Sequence, residues 1–344
     1  MKGGRVVLKW IAAMPVACLV LSLLFAPVYT MPVHIPNERG GTDYVWKPAS
    51  FWCIATEGCA FGRHDAEGFN NLTPVDHPDI LVLGSSHMEA HNVMQSENLC
   101  TLLDEKLAGE FRVFNMGMSG HTLDKICGYI PEAVSAFSEK PQVVVLETET
   151  CRIDMETVRA IEEGTLEVTP SRHEGILAAL QMSPFFRQMY KQLIGGLYDQ
   201  LLQKNRPQLP KAARAPETES AETAPDPEPC KRLLSYLQNI QETCGVQIVL
   251  FYHPQAAFSR DGSVRFYPEQ ESALFAEHAA AYGIVFLDAA DRFEELYANE
   301  KKVPHGFSNH AIGWGHLNPD GHRVLAEMLY TQMCDMIEDG RLCR

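Results

Sequence analysis

The sequence predicts an α/β fold in which helices cover both faces of a five-stranded parallel sheet. Five short, continuous apolar runs occur along the chain, and segments with helical periodicity separate them. Strands that are apolar without alternation are typical of parallel sheets buried on both faces. The regular exchange of strand and helix predicts successive βα units within one domain.

The apolar runs place the five strands, and the helical patterns lie between them. The predicted strands are Asp79–Gly84, Arg112–Asn115, Gln142–Glu147, Val246–Tyr252 and Gly283–Asp288. The predicted helices are Ser96–Ala108, Thr122–Phe137, Lys231–Cys244, Pro268–Tyr282 and Asn318–Met336.

Composition and charge exclude several classes of protein. The chain has 344 residues, of which 46% are hydrophobic and 21% charged, as in ordinary globular proteins. Intrinsic disorder of the whole chain, collagen-like repeats and long coiled coils are therefore excluded. Lys and Arg number 29 against 44 Asp and Glu, a net charge of −15. No basic stripe is present to neutralise phosphates, so we expect no nucleic-acid partner.

The N-terminus predicts the compartment. Lys2, Arg5 and Lys9 precede an uncharged run from Trp10 to about Met31. A run of ~20 apolar residues suffices for a transmembrane helix, and the positive flank keeps the N-terminus in the cytoplasm. We therefore expect a single-pass signal anchor, with the rest of the chain in the periplasm or at the cell surface. The alternative is a cleaved signal peptide, whose apolar region is usually shorter.

This organisation divides the chain into three parts. Residues 1–31 form the cytoplasmic tip and anchor, residues 32–77 a stalk and irregular lead-in, and residues 78–344 the α/β domain. Residues 152–229 interrupt the strand–helix rhythm and are predicted to be an insertion. Its last part, 205–229, is rich in Pro, Ala and Glu and has too few large apolar side chains to order itself. Its earlier helical part is expected to form a lid, to pack near the membrane or to join the core.

Ten cysteines in an oxidising compartment predict disulfide bonds. Nine lie outside the anchor, so at least one thiol must stay free, and sequence alone does not fix the connectivity. The pairs that would close short loops are Cys53 and Cys59, Cys230 and Cys244, and Cys334 and Cys343.

The residues that follow the strands point to acyl transfer. Ligands of open parallel sheets bind beyond the carboxyl ends of the strands. The first strand runs into Gly84-Ser85-Ser86-His87, the second into a glycine-rich turn over 115–122, and His316 precedes the last helix. A serine on a tight turn at a helix N-terminus has backbone N–H groups nearby to stabilise an oxyanion, and a histidine makes its hydroxyl nucleophilic.

These three blocks together resemble those of the SGNH (GDSL-type) hydrolases. The resemblance places Ser86 at the nucleophile position and His316, in His-Leu-Asn-Pro-Asp-Gly-His, at the position of the general base. The second block, Asn-x-Gly-x-x-Gly-x-Thr, is matched by Asn115, Gly117, Gly120 and Thr122. It implies that the backbone N–H groups of Ser86 and Gly120 form the oxyanion hole.

The resemblance also implies a fold and a function. The fold would be a flavodoxin-like three-layer sandwich. The Gly-Ser-Ser-His form and the anchor look most like the membrane-anchored envelope branch, which includes the D-alanyl-transfer protein of teichoic acids and the alginate O-acetylation proteins. That branch implies a serine esterase or O-acyltransferase acting on ester-linked acyl groups, above all acetyl, of envelope glycans. The implied partners are an acylated glycan or small ester, the inner or cytoplasmic membrane and a membrane-bound acyltransferase, and we expect no cofactor. His305, His310 and His316 are spaced too loosely for a helical metal pair, so we expect no metal either.

Two positions depart from the family pattern. The Asn that usually donates to the oxyanion is replaced at about Glu149, so Thr148 or Thr150 is a candidate donor. The Asp expected three residues before the histidine is replaced by Gly313.

Three groups are candidates to orient His316: the carboxylate of Glu149, the carboxylate of Asp288 and a backbone carbonyl at or near Gly313. Predicted substrate contacts are His87, Asn115, Thr148 and His253. The departures leave a second hypothesis open, a catalytically inactive glycan-binding or scaffold component of an envelope polysaccharide modification or export system.

Overall fold

The computed structural model describes residues 2–166, 225–258 and 263–343. Its helices are α1 (Lys2–Phe25), α2 (Ser86–Glu89), α3 (Leu99–Lys106), α4 (Leu123–Ser135), α5 (Met155–Glu163), α6 (Pro227–Cys244), α7 (Gln270–His278), α8 (Ala290–Glu300) and α9 (Pro319–Glu338). Its strands are β1 (Tyr29–Thr30), β2 (His34–Pro36), β3 (Tyr44–Trp46), β4 (Phe51–Ile54), β5 (Ala60–Arg63), β6 (Ile80–Leu83), β7 (Val113–Asn115), β8 (Val143–Thr148), β9 (Gln247–Tyr252), β10 (Ala257–Phe258), β11 (Val264–Arg265), β12 (Val285–Asp288), β13 (His305–Gly306) and β14 (Ile312–Leu317).

The central sheet has five parallel strands, in the order β7-β6-β8-β9-β12. The predicted parallel sheet of five strands is thus confirmed. Counted within this sheet the order is 2-1-3-4-5, the flavodoxin-like arrangement, in which the second strand is added on one side of the first and the third strand on the other. This switch of sides opens a crevice at the carboxyl ends of β6 and β8, which is where ligands bind in such sheets.

Side chains of the central strands alternate between two apolar layers. In β6, Leu81 and Leu83 join one core, whereas Ile80 and Val82 join the other. Helices α4, α5 and α6 supply apolar side chains to the first core, and α3, α8 and α9 to the second. Because neighbouring residues of a strand point to opposite faces, an uninterrupted apolar run serves both layers.

The N-terminal apolar segment forms α1, but the expected transmembrane span is not found. Within residues 2–166, 225–258 and 263–343, no helix combines the length and hydropathy needed to cross a bilayer. The expected disulfides are likewise not seen, because all ten cysteines are free thiols.

The segment 32–77 folds onto the parallel sheet. Strands β1, β4 and β5 form a small antiparallel sheet, and β2 pairs with β3. Trp46 in β3 and Trp52 in β4 are buried and belong to the first apolar core. The sequence shows no periodicity here because each strand has only two to four residues, too few for an alternating pattern to be recognised.

The predicted insertion is described only at its two ends. Helix α5 lies in its first part, and α6 begins at Pro227, four residues before the predicted start of that helix. Residues 167–224 lie outside the described part of the chain, and with them most of the predicted lid and flexible excursion.

Candidate active site

The turn after β6 presents Ser86 at the crevice. Ser85 is the N-cap of α2 and accepts the backbone N–H of His87, so Ser86 is the first helical residue. Glu147, at the end of β8, accepts both the backbone N–H of Ser85 at 2.7 Å and its hydroxyl at 3.0 Å. A side chain at Gly84 would come within 2.3 Å of Met88 and 2.6 Å of the Glu147 carboxylate, so the close approach requires glycine.

His316 reaches Ser86 from an interrupted hairpin. Its Nε2 lies 3.1 Å from the hydroxyl oxygen of Ser86. In the β13–β14 pair, Gly306 faces Ile312 but His305 faces Leu317, so the residues between Ile312 and Leu317 bulge out of the ladder. Gly313 and Gly315 in this bulge have φ of 79° and 100°, which few other residues adopt. The bulge re-aims the strand so that the imidazole faces the nucleophile.

Glu57 lies beside the other ring nitrogen of His316. One carboxylate oxygen lies 2.9 Å from Nδ1 of His316, and the other accepts the backbone N–H of His316 at 2.9 Å. Partial burial raises the pKa of Glu57, but its contacts with His316 lower it more, so the net pKa is lowered. The contact is an ion pair that is not aligned as a hydrogen bond. A carboxylate at this distance favours a proton on Nδ1 and leaves Nε2 free to accept the Ser86 proton.

The loop that carries Glu57 is fixed at several points. The Asn92 amide donates to the carbonyl of Glu57 at 2.9 Å. The Asn309 amide donates to the carbonyls of Ala55 and Gly58, at 3.1 and 2.7 Å, and its oxygen accepts the Gly58 N–H at 3.0 Å. These bonds join the loop to the nucleophile side of the sheet and to the loop before β14.

Of the three groups predicted to orient His316, the carboxylates of Glu149 and Asp288 have other partners, and it is Glu57 that lies beside Nδ1. Glu149 lies 3.2 Å from Nε2 of His87. Asp288 accepts the backbone N–H of Ala290 at 2.8 Å, at the start of α8. Gly313 is backed by the Phe258 ring, which a side chain at this position would strike. Sequence reasoning missed Glu57 because it lies in a segment without recognisable pattern, and the only signal was the missing aspartate itself.

The four residues predicted to contact the substrate are buried. His87, Asn115, Thr148 and His253 are each at most 4% exposed. The Thr148 hydroxyl donates to the carbonyl of Thr150 at 2.7 Å. His253 lies 2.7 Å from the Glu147 carboxylate through Nε2. These two side chains thus have partners within the protein.

The turn after β7 lies against the nucleophile turn. The Asn115 amide donates to the carbonyl of Met88 at 2.7 Å, and the Met118 N–H donates to the carbonyl of Gly84 at 3.0 Å. Gly117 approaches α2 so closely that a side chain there would lie 2.5 Å from a backbone nitrogen.

The exposed Gly120 completes that turn with a φ of 82° and open space around it. As the first residue of α2, Ser86 has a backbone N–H with no partner inside the helix. The two N–H groups that the sequence assigns to an oxyanion hole thus belong to two turns that are tied together.

Comparison of this chain with known proteins found similar solved structures. No family model and no curated protein matches the chain. The crystal structure of TesA is similar at 15% identity and a TM-score of 0.39, covering 74% of this chain and 97% of that one. The acetyl xylan esterase AlAXEase is similar at 14% identity and a TM-score of 0.39, covering 74% and 98%. AlinE4, an SGNH-hydrolase family esterase, is similar at 13% identity and a TM-score of 0.35, covering 78% and 98%.

Proposed function

We propose that this protein is a serine ester hydrolase with Ser86, His316 and Glu57 as its catalytic triad. The observation that carries the proposal is the pair of contacts on the two nitrogens of one imidazole. Nε2 of His316 lies 3.1 Å from the Ser86 hydroxyl, and Nδ1 lies 2.9 Å from the Glu57 carboxylate. Nucleophile, base and orienting acid are recognised by this geometry and not by their order in the chain.

The first half-reaction forms an acyl-enzyme. The Ser86 oxygen attacks the ester carbonyl carbon as its proton passes to Nε2 of His316. The tetrahedral intermediate then collapses, the bond to the leaving alcohol breaks, and the imidazolium returns the proton to that alcohol. Glu57 stabilises the imidazolium in both steps without itself taking the proton.

The second half-reaction releases the acyl group. An acceptor hydroxyl gives its proton to Nε2 and attacks the acyl carbon, after which the bond to Ser86 breaks and the serine regains its proton. Water as acceptor gives hydrolysis, whereas a sugar hydroxyl gives transfer. The backbone N–H groups of Ser86 and Gly120 would stabilise the oxyanion, and one such donor typically contributes about 10²–10³ in rate.

Within this class we propose an esterified glycan as the substrate, with acetyl as the acyl group. Trp314 lies two residues before His316 and is 58% exposed, and Ile312 beside it is 65% exposed. Large apolar side chains exposed next to a catalytic group commonly mark a ligand surface. A flat indole ring suits the apolar face of a sugar ring, which leaves the sugar hydroxyls in water.

We also propose that the protein acts in the cell envelope. The support is the N-terminal sequence, in which three basic residues precede a long uncharged apolar run. Cell fractionation with an antibody to the C-terminal domain tests this part, and recovery of the protein wholly in the cytosolic fraction would refute it.

The reason for considering a non-catalytic glycan-binding or scaffold role is that Gly313 replaces the aspartate expected three residues before His316. Glu57 takes up the acid's position relative to His316, so that reason no longer applies. We therefore place catalysis first and treat the binding role as an outcome of the same experiment.

The deciding experiment compares wild type with Ser86→Ala on p-nitrophenyl acetate and on a fluorophosphonate label. We expect wild type to hydrolyse the ester and to be labelled at Ser86, and the variant to do neither. Ser96→Ala is the matched control because Ser96 is an exposed serine ten residues away. Turnover that survives in Ser86→Ala, or an inactive and unlabelled wild type, would refute the proposal, and the second result would favour the binding role.

A further inference from the structure

His87 follows the nucleophile directly, yet its side chain is turned into the protein and only 4% exposed. Its Nδ1 accepts the backbone N–H of Leu317 at 3.1 Å, in a buried hydrogen bond. Leu317 is the residue after His316. One side chain therefore joins the helix that starts at the nucleophile to the strand that carries the base.

The backbone of β14 needs such support at this point. Because the β13–β14 ladder is interrupted between Ile312 and Leu317, the ladder does not hold the residues of the bulge. Two consecutive N–H groups are bonded to side chains instead: that of His316 to Glu57 at 2.9 Å and that of Leu317 to His87 at 3.1 Å. The direction of the His316 ring thus depends on two side-chain acceptors.

The contact at Nε2 of His87 explains why Nδ1 can accept the Leu317 N–H. An N–H that donates to Nδ1 requires that Nδ1 carry no proton, so the ring proton lies on Nε2. Nε2 lies 3.2 Å from the Glu149 carboxylate, which also accepts the Gln255 amide at 2.9 Å. The contact with His87 lowers the pKa of Glu149 to about 2, so the carboxylate is ionised and favours a proton on Nε2. Burial lowers the pKa of His87, but Glu149 and Glu147 raise it more, so the net pKa is raised. The buried Leu317 N–H that points at Nδ1 opposes a second ring proton there.

We propose that His87 is a positioning residue for the catalytic histidine: Glu149 fixes its tautomer, and its Nδ1 holds the Leu317 backbone so that His316 faces Ser86. This inference rests on the proposed hydrolase function. Glu149 lies at about the position where the SGNH pattern has an Asn that donates to the oxyanion. The sequence suggested Glu149 as a group that orients His316, whereas this inference assigns it to fixing the tautomer of His87. The contacts from Glu149 after β8 to His87 in α2, and from His87 to Leu317 in β14, connect both Ser86 and His316 to the central sheet.

A pair of amide substitutions tests the proposal. In His87→Asn the amide oxygen can take the place of Nδ1 and still accept the Leu317 N–H, whereas in His87→Gln the amide reaches the place of Nε2 and that acceptor is lost. We expect His87→Asn to keep kcat within about fivefold of wild type. His87→Gln should lose kcat by about 10- to 100-fold with KM nearly unchanged, because a buried N–H is left unpaired and the base is misaimed.

The comparison distinguishes the two proposals. If the Asn and Gln variants lose kcat equally, or neither loses it, while Ser86→Ala is inactive, then His87 is not a positioning residue but the hydrolase remains. If Ser86→Ala keeps activity, the hydrolase itself is refuted.

A second measurement needs no variant that might fold poorly. Nitrogen-15 NMR of the wild-type protein should show the His87 ring with its proton on Nε2 at neutral pH. A proton on Nδ1 would overturn the inference.

Discussion

The carboxylate of Glu57 lies 2.9 Å from Nδ1 of His316, although 259 residues separate the two along the chain. Glu57 lies on the turn between β4 and β5, and both strands belong to the small antiparallel sheet packed on the parallel domain. In the proposed hydrolase, the N-terminal part of the fold therefore supplies one member of the triad. Any change that detaches this small sheet should remove the acid without disturbing the nucleophile turn.

Glu57→Gln should lower kcat on p-nitrophenyl acetate by about 10²–10⁴-fold, the range for loss of a triad acid. The amide keeps the size of the side chain but neither fixes the Nδ1 proton nor offsets the imidazolium charge. Steady-state kinetics measures the loss, and circular dichroism checks the fold.

Glu38→Gln is the control for that experiment, since Glu38 is an exposed glutamate in the same segment. A Glu57→Gln enzyme with wild-type kcat would show that the carboxylate has no part in the reaction.

Gly315→Ala should reduce both activity and stability. Gly315 has a φ of 100°, and a side chain there would lie 2.5 Å from the Glu57 carboxylate. The strained backbone should cost about 1–3 kcal/mol of unfolding free energy, and displacement of Glu57 should lower kcat in addition. Denaturant unfolding and steady-state kinetics measure the two effects separately.

Gly340→Ala separates strain from displacement. Gly340 also has a positive φ, of 72°, but a side chain there would meet nothing within 4 Å. This variant should lose stability while keeping kcat. Equal kcat in both variants would mean that Gly315 does not hold Glu57 in place.

The difference between what the sequence predicted and what it missed has a physical cause. β6 and β8 are buried on both faces, so their residues must be apolar throughout, and the sequence displays this directly. Ser86 and His316 could be found because each follows or ends a regular element. Glu57 lies between strands of four residues, and its role depends on a long-range contact that leaves no local pattern. The buried role of His87 was also hidden, because a histidine after a nucleophile looks the same whether it faces a ligand or the core.

The free energy of unfolding should fall as the pH drops below about 6.5. Burial is the main cause that lowers the pKa of His64 to about 3, of His121 to about 4 and of His322 to about 3. Between these values and the ordinary pKa of 6.5, the unfolded chain binds protons that the folded protein does not, so stability rises with pH in this window. Burial also lowers the pKa of His305 well below its ordinary value. Four such groups give a slope of at most about 5 kcal/mol per pH unit. Urea unfolding at several pH values measures it.

His322→Asn should reduce that slope by about one quarter. The Nδ1 of His322 accepts the backbone N–H of Leu99 at 3.2 Å, and the amide oxygen of Asn can replace it without titrating. The variant and wild type should then differ in slope below pH 6.5 and run parallel above it. Identical slopes throughout would exclude His322 from the acid response.

Trp314→Ala should separate glycan binding from ester chemistry. The indole is 58% exposed and lies two residues from His316, but it forms no part of the triad. If the ring stacks on a sugar next to the ester, its loss should raise KM for an O-acetylated oligosaccharide by about 5- to 30-fold, the effect of ~1–2 kcal/mol of aromatic contact. KM and kcat for p-nitrophenyl acetate should change by less than about twofold, because its small acetyl group needs only the triad and the oxyanion donors.

Phe51→Ala is the matched control, since Phe51 is a 51% exposed aromatic on β4, at the end of the β4–β5 hairpin away from Glu57. Equal effects of Trp314→Ala on both substrates would place the ring in the catalytic geometry instead, and no effect on either would remove it from the substrate site.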